Sequence, residues 1–203
     1  MPLFTARTHY YGIPTSDYYN AFNAYQGSLA MPNCVAYSYG RFNELSRVTS
    51  NPWSWPTGNG NQWFGQAPGL GLLTGSTPQL GACICWDSVP GQGSGEGHTA
   101  NVESLIRDGQ GNVTAFRISN SLYSATDRTP KDEMPYFFMG TVQMSDLNRI
   151  DYDNGYYSIY VFQGFIYHPL YPPSWTPSGL STEQLIAVLA GRRKKPVTHI
   201  IRR

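Results

Sequence analysis

Cysteines, charged residues and long apolar runs are all scarce in this chain of 203 residues. Charged residues make up only 13% of the chain and aromatic residues 14%, a composition that excludes an intrinsically disordered protein. The chain has only three cysteines, Cys34, Cys83 and Cys85. A low and odd number of cysteines argues against a framework of disulfide bonds. No segment approaches the roughly 18 consecutive apolar residues of a membrane span, so we expect none.

The charge that is present is unevenly distributed. Six of the fourteen basic residues lie within residues 192–203, which leaves eight basic against thirteen acidic residues, a net charge of −5, over residues 1–191. The default interpretation of the basic segment is a solvated tail. Contact with teichoic acid, nucleic acid or another protein is the alternative. The first residues lack a charged segment followed by an apolar run, so we expect no cleaved signal peptide.

The pattern of apolar residues predicts one α+β domain followed by a tail. Residues 34–48 carry apolar side chains at helical spacing, and Asn33 before them is a good N-cap. Strand-like runs follow, and a short helix is predicted near residues 62–64. The runs cover residues 82–86, 98–106, 113–120 and 156–167. A helix followed by antiparallel strands is typical of the α+β class.

The composition changes after Pro173. Residues 181–184, Ser-Thr-Glu-Gln, have the pattern of a capping box, and Gly191 is a plausible C-cap for the short helix that would follow. We therefore divide the chain into a domain of residues 1–172, with its core at about residues 18–170, and a segment of residues 173–203 that holds a linker, a short helix and the basic tail.

Cys34 is the best candidate for a nucleophile. A thiol attacks an amide as the thiolate, and its pKa must fall from about 8.5 for this form to be populated. One residue after a predicted N-cap, Cys34 lies where the helix dipole and the free backbone N–H groups favour negative charge. The same N–H groups, together with Asn33, could stabilise an oxyanion.

His98 is the best candidate for the base that such a nucleophile needs. It alone among the four histidines begins a strongly patterned strand, and Gly97 before it would let a substrate or the backbone of the nucleophile approach closely. A three-residue hairpin loop at 108–110 would put Asn120 opposite His98, where its carboxamide could accept an imidazole N–H. The alternative is that Asn120 is merely a polar residue at the end of a strand.

Five segments resemble, in the same order, the motifs of the CHAP family, the cysteine- and histidine-dependent amidohydrolases/peptidases. They are PNCVAYSYGR at 32–41, GNGNQW at 58–63, PQLGACICW at 78–86, GHTANVE at 97–103 and FQGFIYH at 162–168. The chain departs from the family pattern at Ala82, where an Asp is usual, and at Asn120, where the usual third residue is acidic. The NlpC-type family of cell-wall peptidases is the nearest alternative, and the GHTANVE segment favours CHAP.

The resemblance implies a papain-like α+β fold, with the helix that carries the nucleophile packed on an antiparallel sheet. It also implies a bacteriophage peptidoglycan hydrolase, either an endolysin or a virion tail-associated lysin, that cleaves amide bonds of the cell wall. Cys34, His98 and Asn120 would form its catalytic set, and Asn33, Gly97 and Trp63 would contribute to oxyanion or substrate binding.

Several other features have two interpretations each. Trp53, Trp55 and Trp63 could stack on sugars or close the core under a loop. Cys83 and Cys85 share one face of a strand and fit core packing better than a metal pair. Residues 151–155, Asp-Tyr-Asp-Asn-Gly, fit a hairpin turn better than a calcium loop. We therefore predict no cofactor and no metal.

The expected partner is bacterial peptidoglycan, and nucleic acid is not expected. Residues 174–203 could dock onto other phage tail proteins, which keeps open a second function class, a structural virion tail component with a retained lysin fold. The corresponding locations are the virion tail, or the host cytoplasm until lysis.

Overall fold

The computed structural model describes residues 4–8, 33–46, 53–92, 95–122 and 138–173. Within them, two α-helices and a short 3-10 helix precede an eight-stranded antiparallel sheet. This is the predicted α+β class. The predicted helix at residues 181–191 and the basic tail lie outside the described residues, so the division of the chain at residue 173 stays a prediction.

The two helices begin at asparagine caps. Helix α1 spans Cys34–Ser46, and the Asn33 side chain accepts the backbone N–H groups of Val35 and Ala36 at 2.9 and 3.3 Å. Helix α2 spans Gly60–Gln66, with Asn59 at its N-cap, and a 3-10 helix continues it over Ala67–Leu70. Asn33 is therefore the N-cap that the sequence predicts, and it fixes the start of α1 at Cys34.

The strands form one sheet in the order β1-β8-β2-β3-β4-β5-β6-β7. They are β1 Thr74–Gly75, β2 Cys83–Asp87, β3 His98–Arg107, β4 Val113–Asn120, β5 Phe138–Gln143, β6 Asp146–Tyr152, β7 Tyr157–Ile159 and β8 Val161–Ile166. The sheet curls until β6 approaches β8, because Asn148 on β6 accepts the N–H of Tyr160 with its backbone oxygen and that of Phe162 with its side chain, both at 2.8 Å. Strands β5 and β6 were not predicted from the sequence.

The β3–β4 hairpin differs from the predicted one in the length of its loop. Arg107 pairs with Val113 instead of Gly111, and bulges shift the register at two points along the ladder. The loop is longer because Asp108 binds its own turn, accepting the N–H groups of Gln110 and Asn112 at 2.9 and 2.8 Å. Since side chains alternate with a period of two, a net shift of two residues leaves the same side chains on each face.

The sheet has an apolar core on each face. Its inner face buries a cluster that includes Ile84, Trp86, Ala100, Ile118 and Phe165. Its outer face packs against α1 and α2 in a second cluster, which contains Cys83 and Cys85, both completely buried. The prediction that these two cysteines share a face and pack in the core is confirmed.

Trp63 belongs to the same outer cluster, which corrects one prediction. Its exposed fraction is 0% and that of Trp55 is 3%, so both rings close the core between the helices and the sheet. Trp63 therefore cannot offer its ring to a sugar. The predicted hairpin turn at residues 151–155 is confirmed, since β6 ends at Tyr152 and β7 follows at Tyr157.

Candidate active site

Cys34 is the first residue of α1 and faces strand β3. Its thiol interacts with the backbone and side chain of Thr99, the residue after His98, and with the backbone of Val35. The N-terminus of α1 is thus held against the start of β3. Two predicted residues, Cys34 and His98, are brought to the same corner of the fold, although they lie 64 positions apart in the chain.

The environment of Cys34 favours the neutral thiol when no substrate is bound. Burial is the largest influence and raises the pKa of Cys34, while the interactions with Thr99 and Val35 act in the opposite direction. Hydrogen bonds from Thr99 on β3 and from Val35 on α1 therefore offset only part of the cost of removing a thiolate from water. This differs from the lowered pKa that the position of Cys34 on the helix predicts.

His98 and Asn120 form a direct hydrogen bond. His98 Nε2 lies 3.0 Å from Asn120 Oδ1, and the Asn120 amide group donates to the backbone oxygen of Phe138 at 3.3 Å. Because a carboxamide oxygen only accepts, this geometry requires the proton on Nε2 and leaves Nδ1 with a free lone pair. The predicted contact between His98 and Asn120 exists, even though the loop length used to predict it is wrong.

The imidazole of His98 is deeply buried and neutral. Its exposed fraction is 3%. Burial lowers the pKa of His98 to about 4, and the Asn120 hydrogen bond opposes this shift. At neutral pH the site therefore contains a neutral thiol and a neutral imidazole, with no ion pair between them.

The observed partners of the Cys34 thiol are Thr99 and the backbone of Val35. Among the interactions of the described residues, no hydrogen bond joins Cys34 to His98, and Cys34 has no resolved influence on the pKa of His98. Both residues nevertheless have a common neighbour in Tyr160, whose ring stacks on His98 and whose pKa responds to the charge of Cys34. Cys34, His98 and Asn120 thus lie in one corner of the fold.

Three further residues were predicted to bind substrate or an oxyanion. The Asn33 carboxamide oxygen is occupied by the helix cap. Gly97 has a φ of +70°, and a Cβ there would lie 2.3 Å from the Trp86 carbonyl oxygen and 2.7 Å from the backbone nitrogen of Asn61. The backbone that approaches Gly97 so closely is therefore the chain's own. Direct substrate contact by Asn33 or Gly97 stays a prediction, and Trp63 is excluded by its burial.

A buried ionic network links the elements that carry Cys34, His98 and Asn120. Arg41 on α1 donates to both carboxylate oxygens of Glu103 on β3, at 3.0 and 2.7 Å, and Ser119 on β4 donates to the same carboxylate at 2.5 Å. The N-terminal segment completes the network, since Thr5 accepts from Arg41 and the Arg7 N–H donates to Glu103. The helix is therefore fixed along the strand two turns beyond Cys34.

Comparison with known families gives one match. Residues 23–119 match the CHAP domain family model. The match begins before helix α1, includes Cys34 and His98, and ends one residue before Asn120. A CHAP domain suggests a peptidoglycan hydrolase or amidase, and the geometry at Cys34 and His98 lies inside the matched segment.

The structure bears on three further predictions, which concern the fold, membrane spans and metal sites. The described residues are an α+β arrangement with a curled antiparallel sheet, while a papain-like topology stays a prediction. Among the described residues, the longest helix has 13 residues, and none has the length and hydropathy of a membrane span. No group of three or more His, Cys, Asp or Glu side chains within the described ranges could hold a metal ion.

Sequence reasoning missed the residues that support the candidate site. Thr99 contacts Cys34, Tyr160 stacks on His98, and Arg41 anchors the helix that carries Cys34, yet none of them was singled out. For Arg41 a signal exists, since a charged residue on the covered side of a helix requires a buried partner. Tyr160 comes from a segment far along the chain, and no local pattern connects it with His98.

Proposed function

We propose that this protein hydrolyses amide bonds of bacterial peptidoglycan, with Cys34 as nucleophile, His98 as general base and acid, and Asn120 as the residue that orients the imidazole. One observation carries the proposal: His98 Nε2 is bound to Asn120 Oδ1 at 3.0 Å, which leaves Nδ1 available for a proton, and the neighbouring Thr99 contacts Cys34 at the helix N-terminus. The CHAP match over residues 23–119 supports the substrate class.

In the first half of the reaction, the Cys34 thiol rotates from Thr99 toward His98. Nδ1 takes its proton as the sulfur attacks the carbonyl carbon of the substrate amide. The backbone N–H of Cys34, at the start of α1, stabilises the negative charge that develops on the carbonyl oxygen. The imidazolium then gives its proton to the leaving nitrogen, the C–N bond breaks, and a thioester on Cys34 remains.

In the second half, a water molecule replaces the released amine. His98 removes a proton from the water as its oxygen attacks the thioester carbonyl, and the C–S bond breaks to release a carboxylic acid and the thiol. Asn120 keeps the proton on Nε2 in the resting state, so the ring always presents Nδ1 to the reaction. Since both groups begin neutral, the thiolate forms during the attack and not before it.

Purified peptidoglycan tests the proposal directly. We expect Cys34→Ala to lower kcat by about 10⁴-fold or more, and His98→Asn to lower it by at least about 100-fold. Asn120→Ala should cause a smaller loss, because it acts through the imidazole. His168→Asn removes a buried histidine elsewhere and should retain hydrolysis at a temperature where the variant is folded. A folded Cys34→Ala protein that still releases amine from the wall would refute the mechanism.

Mass spectrometry of the digested wall would identify the bond that is cut. A free lactyl carboxylate on the glycan together with a stem peptide that begins with a free alanine amino group indicates an amidase, and a new peptide N-terminus within the stem or cross-bridge indicates an endopeptidase. The phage setting, as endolysin or virion tail-associated lysin, is proposed on the sequence resemblance alone. Detection of the protein in purified phage particles would favour the virion form, and its absence from them would favour the free endolysin.

A further inference from the structure

Tyr160 lies against the imidazole of His98. The two ring centroids are 5.0 Å apart and the ring planes differ by 7°, so the rings are stacked. Trp86 is the third ring of the group, with its centroid 5.8 Å from His98 and 6.0 Å from Tyr160. These three distances form a compact triangle, so Tyr160 and Trp86 do not enclose the imidazole from opposite faces.

The backbone around Tyr160 is fixed from both sides. The Tyr160 N–H donates to the Asn148 carbonyl oxygen and the Phe162 N–H donates to the Asn148 side chain, both at 2.8 Å. The neighbouring side chains Ile159 and Val161 are 51% and 42% exposed. Because side chains alternate along an extended chain, Tyr160 points inward between them. Its ring is therefore held at the imidazole by the backbone as well as by ring contact.

We propose that Tyr160 is a positioning residue for His98. The Tyr160 ring covers one face of the His98 imidazole and keeps that face free of water. The ring also limits rotation of the imidazole, so that Nε2 stays on Asn120 and Nδ1 stays available to Cys34. This inference rests on the proposed function of His98. It concerns a residue 41 positions beyond the end of the CHAP match.

The charges around His98 indicate that Tyr160 acts on the imidazole by burying it and not by carrying a charge. Burial, followed by the charge of Cys34, raises the pKa of Tyr160 to about 12, so the phenol is neutral at working pH. The packed elements carry two ionisable groups beside Tyr160: Cys34 on α1, and Asp87 on β2, which pairs with Val161 and whose carboxylate accepts the Ser88 N–H at 2.7 Å. Neither has a resolved influence on His98, whose pKa is set by burial and by Asn120 on β4.

Two variants separate the ring from its hydroxyl group. Tyr160→Phe keeps the stacked ring, and Tyr160→Leu removes it. NMR titration of the imidazole nitrogens from pH 5 to 8 should find His98 neutral throughout in the wild type and in Tyr160→Phe. In Tyr160→Leu water reaches the ring, so we expect a His98 titration inside this range, a rise in pKa of more than about one unit.

Kinetics supply the second measurement. In Tyr160→Leu the acid limb of the kcat/KM profile should move to higher pH by the same amount, with kcat lowered more than KM is raised. Tyr160→Phe should follow the wild-type profile. A His98 that stays neutral in Tyr160→Leu overturns the proposal, as does a Tyr160→Phe variant that behaves like Tyr160→Leu.

His168 serves as an internal reference, because it is buried beside Phe42 and Ser46 at the far end of α1. If the His168 titration moves together with that of His98 in Tyr160→Leu, the ring supports the whole fold and the specific role is refuted. The NMR measurement needs no hydrolysis. A wild-type protein that does not hydrolyse peptidoglycan would therefore refute the proposed function while the titration still decides the role of Tyr160.

Discussion

The buried ion pair between Arg41 and Glu103 predicts a large and non-additive loss of stability. The two side chains are 4% and 1% exposed and are joined by two hydrogen bonds at 3.0 and 2.7 Å. Removing one partner of such a pair leaves a buried charge without compensation, which costs about 3–5 kcal/mol. This is a large part of the roughly 5–15 kcal/mol that stabilises a typical domain.

The experiment is a double-mutant cycle with Arg41→Met, Glu103→Leu and the double variant. We expect each single change to lower the free energy of unfolding by about 3–5 kcal/mol, and the double change to cost clearly less than the sum of the two. The double variant should still cost some stability, because Ser119, Thr5 and the Arg7 N–H lose hydrogen-bond partners in it. Urea unfolding followed by tryptophan fluorescence gives all four values.

A matched control is the exposed pair between Arg149 and Asp151. Their side chains are 43% and 47% exposed, and the ion pair has a similar length of 2.8 Å. We expect Arg149→Met and Asp151→Asn each to change the free energy of unfolding by less than about 1 kcal/mol. If Arg41→Met and Glu103→Leu prove additive to within about 0.5 kcal/mol, the two residues do not act as a unit and the reasoning is wrong.

Two more predictions concern acid stability and Gly97. Burial lowers the pKa of His98 to about 4 and that of His168 to about 3, so the unfolded chain takes up protons below pH 6.5 that the folded protein does not. The contribution of these two neutral histidines to the free energy of unfolding should be fully present above pH 6.5 and should be lost as the pH falls toward 4. At pH 5 the loss should be about 2 kcal/mol per histidine. Equal urea midpoints at pH 7 and pH 5 would contradict this. Gly97→Ala should cost at least about 2 kcal/mol, because its Cβ would lie 2.3 Å from the Trp86 carbonyl oxygen at a φ of +70°, whereas at Gly109 a Cβ would meet no atom within 4 Å. Unfolding free energies that are alike for Gly97→Ala and Gly109→Ala would show that this close approach is not the cause.

The elements that carry the proposed chemistry were accessible from sequence because their signals are local. The cap at Asn33, the apolar spacing of α1 and the strand patterns of β2, β3 and β4 each depend on neighbouring residues. The His98–Asn120 contact was predicted from a loop of the wrong length. The contact is nevertheless formed, because bulges and the longer turn shift the register of β3 against β4 by an even number of residues. An even shift keeps both side chains on the same face of the sheet.

What could not be predicted depends on contacts between distant parts of the chain. Strand β6 alternates poorly, since three of its seven residues are exposed and only Ile150 and Tyr152 are buried. Arg41 finds its carboxylate 62 positions away, and Tyr160 meets a histidine 62 positions before it. The ring of Trp63 has the same chemistry whether it packs in a core or faces a sugar, so sequence alone left both interpretations open.

The order of the strands has a consequence for self-association. The edges of the sheet are formed by β1 and β7, which have only two and three residues. A long, unpaired edge strand is a template for pairing with another chain, whereas strands this short offer few free N–H and C=O groups. Curling of the sheet brings β6 against β8, where Asn148 accepts the N–H groups of Tyr160 and Phe162. These contacts cover backbone groups that would lengthen the exposed edge of an open sheet. The closure that fixes Tyr160 therefore also protects the described part of the sheet against edge-to-edge aggregation.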